Sequence, residues 1–306
     1  MTFRPSLIGA ATIVALAAAA PAAAAPVQVY GGHTAQDAPI ALRVAASGRA
    51  LTQLLVHVRA PCDDGNAATW SGAASFAAFA PPTINLGKNV FSPARLSRRG
   101  AFRATGVARD TYGDKLGTVR QTIRGTIRRG VAHGTFAATI EIVDPATGAK
   151  VTSCRSGTLR WAARSAPGRV YAGLTSARVP VVIERSRSGR KVNSMWVSWS
   201  APCQNEGGFA VAEELVNFPV SGAGRFGDTF SDEVKLEGVG TRAFAYRLDG
   251  RASASRAAGT IRVEITDKDA AGATTDTCDT TLVSWSARST KGRAPRVRPP
   301  IRRVGG

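Results

Sequence analysis

A chain that repeats itself is built from similar folding units, and this one repeats. Val29-Tyr30-Gly31-Gly32-His33-Thr34 recurs as Val170-Tyr171-Ala172-Gly173-Leu174-Thr175, an offset of 141 residues. At the same offset Pro39 meets Pro180, Ser47-Gly48-Arg49 meets Ser188-Gly189-Arg190, and Ala60-Pro61-Cys62 meets Ala201-Pro202-Cys203. Further along the offset falls to 124 or 125. There Gly100-x-Phe102 matches Gly224-x-Phe226, and Gly134-Thr135 matches Gly259-Thr260. Cys154, seven residues before Trp161, matches Cys278, seven before Trp285. Such an ordered series predicts two homologous domains, copy one over 27–165 and copy two over 166–289. Residues 290–306 remain as a tail.

The two copies also reveal their secondary structure. Positions apolar in both alternate, as strands with one buried face require. Ile40 and Leu42 correspond to Val181 and Ile183, and Leu54, Val56 and Val58 to Met195, Val197 and Trp199. Phe136, Ala138 and Ile140 correspond to Ile261, Val263 and Ile265. Gly, Pro, Asp and Asn clusters punctuate these runs as turns do. No segment keeps a sustained 3.6-residue period, Phe209 to Phe218 coming nearest. The expected fold is therefore all-β: two antiparallel β-sandwich domains in tandem, of roughly seven to nine strands each. A small β-barrel is the alternative packing.

Met1 to Ser6 followed by the uncharged run Leu7 to Ala20 and the small residues Ala22 to Ala25 has the form of a secretory signal peptide, residues 1–24. The apolar run is shorter than a spanning helix needs, and no second one follows. A secreted, extracellular or cell-envelope location is expected, with no transmembrane segment. Four cysteines in an exported chain are expected to form disulfides. The repeat selects Cys62–Cys154 and Cys203–Cys278 from three pairings. No C-x-x-C or ligand-spaced histidine suggests a metal instead.

The copies differ in two respects. Copy one has about 17 extra residues after its first cysteine, carrying Trp70, Phe76, Phe79 and Phe91. These aromatics are candidates for a ligand loop over a rigid scaffold; the alternative is that they cover their own core. Charge is the second difference. Residues 27–165 hold 18 basic and seven acidic side chains, a net of +11, whereas residues 166–289 hold 15 and 14, a net of +1. The excess in copy one includes Arg95, Arg98, Arg99, Arg103, Arg109, Arg120, Arg124, Arg128 and Arg129. On adjacent strands several would share a face able to attract an anionic cell-wall or extracellular polymer. A solvated surface enriched in Arg by codon bias is the alternative. Specific nucleic-acid recognition is not expected, because no recognition motif is present. The tail carries six further cations among prolines and is expected to be disordered.

Catalytic signatures are missing. There is no G-x-S-x-G, no H-E-x-x-H and no phosphate-cradling Gly loop. The acid pair Asp63-Asp64 meets Gln204-Asn205 in copy two. His33, His57 and His133 all lie in copy one. They are the best candidates for a hydrolase site beneath the aromatic insertion. No catalytic, metal or cofactor residue is assigned. Tyr30-Gly31-x-x-Thr34, the Cys62 strand, Gly134-Thr135-Phe136 and Cys154 with Trp161 resemble exported tandem β-domain proteins of GC-rich actinobacteria. That resemblance implies a secreted β-domain and transfers no activity. The leading expectation is a non-catalytic envelope-associated binding module, with a hydrolase and a structural spacer as alternatives; the oligomeric state is left open.

Overall fold

The computed structural model describes residues 28–45, 47–75, 90–91, 94–112, 114–165, 169–205 and 208–289. The signal segment, the tail, Phe76 and Phe79 lie outside them. Copy one supplies β1 (Gln28–Thr34), β2 (Pro39–Val44), β3 (Leu51–Pro61), β4 (Ala67–Ser75) and β5 (Val90–Phe91). It continues with β6 (Ala101–Tyr112), β7 (Lys115–Arg128), β8 (Val131–Val143), β9 (Lys150–Arg155) and β10 (Leu159–Arg164). Copy two supplies β11 (Arg169–Thr175), β12 (Pro180–Arg185), β13 (Lys191–Pro202), β14 (Gly208–Pro219) and β15 (Arg225–Leu236). It ends with β16 (Gly240–Ala252), β17 (Arg256–Asp269), β18 (Thr274–Asp279) and β19 (Val283–Arg288). The described residues contain no helix, and the segment nearest a helical period lies within β14.

Each copy is one continuous sheet, so the barrel-like packing describes it better than two separate facing sheets. In copy one the order is β10-β1-β2-β3-β4-β5-β6-β7-β8-β9, and β10 also pairs with β8, which returns the sheet on itself. The seam is thinnest at β4–β5, where one parallel pair, Ser75 with Val90, makes the link. Copy two runs β14-β13-β12-β11-β19-β17-β16-β15, with β18 on β17. Its edges β14 and β15 are not paired with each other, leaving a half-barrel. Both expected disulfides form, Cys62–Cys154 and Cys203–Cys278, each tying the end of the third strand to the strand before the last.

Inward residues of alternate positions fill each interior. Leu54, Val56, Val58, Phe136 and Ile140 lie in the core of copy one, and Met195, Val197, Trp199, Ile261 and Val263 in that of copy two. One local device is shared. Gly125 pairs with Gly134, and Trp161, opposite Gly134, lays its indole over both. A Cβ at Gly134 would meet the Arg124 carbonyl at 2.0 Å and Trp161 at 2.8 Å. Gly250 and Gly259 pair likewise, with Trp285 over Gly259 and the Phe226 ring in the space at Gly250. The glycines are there because an aromatic ring takes the space.

The outer faces of β1–β3 and β11–β13 pack on one another. Val29, Ala41, Leu55, Val170, Ala172, Val182 and Trp196 form a third apolar cluster between the copies. For that reason all six residues of β2 are buried. The contact is approximately two-fold. Arg43 donates to the carbonyls of Ala172 (2.9 Å) and Arg288 (3.3 Å). Its counterpart Glu184 accepts from Arg164 at 2.9 Å, and Arg164 is the counterpart of Arg288. Burial, then the nearby Arg288 charge, lowers the Arg43 guanidinium to about 10. Since β6–β8 lie across the ring from β1–β3, their outer face points away from copy two.

Candidate anion-binding face

Strand alternation turns Phe102, Ala104 and Ala108 into the barrel and leaves Arg103, Thr105, Val107 and Arg109 outside. The same period exposes Arg120, Arg124 and Arg128 on β7. Strand register then sets their neighbours. Arg103 lies opposite Arg124, Arg124 opposite Thr135, and Thr135 opposite Arg160, one row across four strands. A second row runs Val107, Arg120, Thr139, Arg155. Between the rows Thr105, Thr122 and Ala137 lie side by side and floor an open depression of about 380 Å³.

Like charges directly opposite on a sheet are destabilising. None of Arg95, Arg98, Arg99, Arg103, Arg109, Arg120, Arg124, Arg128 and Arg129 forms an ion pair with a described carboxylate. Arg155, at the end of the second row, reaches Asp63 at 3.7 Å. Copy two handles the same face differently. Gly227, Ala245 and Asp249 stand where copy one has Arg103, Arg120 and Arg124. Arg262 there is held by Asp279 at 2.7 Å and Glu264 at 2.8 Å, and Arg247 lies 3.7 Å from Asp249; Arg225 and Arg251 oppose each other at the end of the face. At the centre of this face copy two thus sets carboxylates beside its arginines where copy one has none among the described residues, while it keeps that opposed arginine pair at the end.

The nine arginines do not form one uniform patch. Arg103, Arg109, Arg120 and Arg124 share the outer face. Arg98, Arg99, Arg128 and Arg129 cluster at one end of the barrel, and Arg95 sits on the bridge to Ala50. The aromatic insertion divides as well. Trp70 is only 2% exposed and stacks on Phe136 (centroids 6.3 Å apart, planes within 8°), which makes it a core residue and removes it from any ligand loop. Phe91 lies on β5.

The histidines do not converge. His33 stacks on Trp196 across the junction between copies (4.3 Å, 12°). The pairings of β1–β2 and β2–β3 put β2, at Pro39, between His33 and His57. Burial lowers the His57 imidazole to about 4, so it is neutral near pH 7. His133 is exposed on β8, beside Thr126 and Ala162. Among the described residues one group has metal-ligand proximity, Cys203, Asp276 and Cys278, and its two sulfurs are joined as a disulfide. No protein-family model matches the chain, and no curated protein matches it either.

One cluster is not evident from the sequence. Glu213 on β14 accepts hydrogen bonds from Trp199 Nε1 and, at 3.0 Å, from the Tyr246 hydroxyl. Burial raises its carboxyl above the ordinary value, against the two hydrogen bonds. Burial first, then the Glu213 charge, raises the Tyr246 phenol. The cluster links β14 to β16 beside the unpaired β14–β15 edge. Its one signal in the chain is an acid at an inward position of the alternating run Phe209-x-Val211-x-Glu213-x-Leu215.

Proposed function

We propose that this chain is an exported binding module that holds an anionic polymer on the outer face of copy one. The carrying observation is the pair of arginine rows, in which Arg103, Arg120 and Arg124 lack described carboxylate partners, while copy two has Gly227, Ala245 and Asp249 at those positions. Two disulfides suit an oxidising compartment, and no described helix is long and apolar enough to cross a membrane. A cell-wall or extracellular polyanion is the expected partner. Recognition would rest on charge and spacing, with Thr105 and Thr122 between the rows and Thr139 within the second as hydroxyl donors.

Retention on heparin tests this. Binding should weaken steeply between about 50 and 200 mM salt, because each neutralised anion releases a counterion. Replacing Arg103, Arg120 and Arg124 by serine should lower the slope of log affinity against log salt by roughly 2–3. Unchanged retention of that variant would overturn the reading.

A further inference from the structure

We propose that the open end of copy one's barrel is a discrete site for one phosphoryl group, distinct from the outer face but serving the same polymer. This rests on the polyanion reading above and adds to it a chemical class and a place.

Two turns about thirty residues apart build the site. The turn at 97–100 closes with Gly100 N donating to Ser97 O, and places Arg98 and Arg99 in solvent. The β7–β8 hairpin turns on Arg129 and Gly130, both at positive φ (48° and 81°). Arg128 Nε donates to the Arg99 carbonyl at 2.9 Å and fastens the turns together. All four arginines line one depression of about 270 Å³, with Tyr30 at its wall. That is small for an organic cofactor and ample for one oxyanion with its attached unit. Four arginines around so small a depression suit a phosphoryl group, whose higher charge and additional acceptor oxygens engage more guanidinium donors than a carboxylate does.

Copy two supplies the control. Its turn 221–224 has the same closing hydrogen bond, Gly224 N to Ser221 O, and Ala252 N donates to Gly224 O as Ile127 N does to Gly100 O. Yet Arg98, Arg99, Arg128 and Arg129 are replaced there by Gly222, Ala223, Ser253 and Ala254. That end is also closed off: Tyr171 donates to the Ser253 carbonyl and Arg169 to the Ala254 carbonyl, both at 2.7 Å. In copy one Tyr30 turns to Gln28 instead, at 2.8 Å. Copy two's end is thus plugged, with Arg169, Arg185 and Arg251 engaged on its backbone carbonyls, whereas copy one's end is an open depression lined by four arginines.

Arg129 adds an independent sign. A two-residue hairpin with both φ values positive favours Asn-Gly, and arginine is a poor occupant of its first position. Backbone strain of this kind gathers at functional sites.

Calorimetric titration of the full chain with pyrophosphate, and with sulfate at matched ionic strength, tests the site. Pyrophosphate should bind one to one and more tightly than sulfate. Arg98→Gly with Arg99→Ala and Arg128→Ser installs the residues of copy two. It should weaken pyrophosphate roughly tenfold or more. The outer-face serine variant should leave pyrophosphate affinity within about threefold of the native chain, since it touches none of the four lining cations. Arg129→Asn guards against misfolding of the triple variant: it should raise the melting temperature while weakening pyrophosphate. Equal affinity of native and triple variant, or of pyrophosphate and sulfate, overturns the pocket and leaves the outer face standing. Heparin binding lost from the outer-face variant alone, with no pyrophosphate binding by the native chain, likewise overturns the pocket. Pyrophosphate binding by a native chain that ignores heparin overturns the polymer reading instead.

Discussion

His57 shows how much a single buried ring can decide. It lies on β3, on the face that copy two covers, and is 8% exposed. Burial holds its folded-state value near 4, against 6.5 for an ordinary imidazole. The native state therefore favours the neutral ring. The stability this confers is complete above pH 6.5 and is lost as pH falls through about 4, amounting to about 3 kcal/mol. Melting temperature measured from pH 7 to pH 4 should fall more steeply for the native chain than for His57→Gln. Parallel curves would contradict the assignment. In the sequence His57 stands out as a chemically capable residue and points to a hydrolase. That its ring is enclosed does not show there, because β3 reads as a strand with one buried face while the junction between copies buries the other. Trp70 is ambiguous for a similar reason: an aromatic on an insertion reads as a ligand platform until its stacking partner, Phe136, is known.

Among elements, β7 and β14 show what periodicity conveys. On β7 alternation assigns every second residue outward, and Arg120, Arg124 and Arg128 are exposed as it requires. What alternation omits is register. That Arg103 faces Arg124, and that the 97–100 turn meets the 129–130 hairpin, depends on which residues pair across strands. β14 is less legible, since an inward acid weakens the alternating signal. Glu213 offers a second pH test of opposite sign to His57. Its carboxyl is raised in the folded state, so the stability it contributes is present below the ordinary carboxylate range and is lost as pH rises through the folded value. Glu213→Gln removes that loss. At pH 8 it should melt higher than the native chain by a few degrees, and at pH 4 the two should converge. A variant that melts lower at both pH values would show that the carboxylate's bonds to Trp199 and Tyr246 outweigh its burial.

At the scale of the molecule, the repeat makes the two units legible but not their contact. The junction uses equivalent residues on both sides, Leu55 and Trp196, Val29 and Val170, Ala41 and Val182. Gly31 lies at its centre, where a Cβ would meet Val182 Cγ1 at 2.4 Å and Val170 Cγ1 at 2.6 Å. Gly31→Leu should wedge the copies apart, splitting one calorimetric transition into two and costing about 3 kcal/mol. A single transition at the native temperature would mean that the copies unfold independently of this contact. The interface explains why the copies share apolar patterning on β1–β3 and β11–β13 while their charges diverge elsewhere: packing constrains the first surface and leaves the second free.

That arrangement also sets valency. The junction takes up the same wall of each unit, and the rows of Arg103, Arg120 and Arg124 lie on the opposite wall of copy one. A duplicated protein with both outer walls charged would bridge two strands and gather polymer into a network. Under the proposed reading both contacts, outer face and barrel end, belong to copy one alone, so the module would coat a polymer without tying one strand to the next.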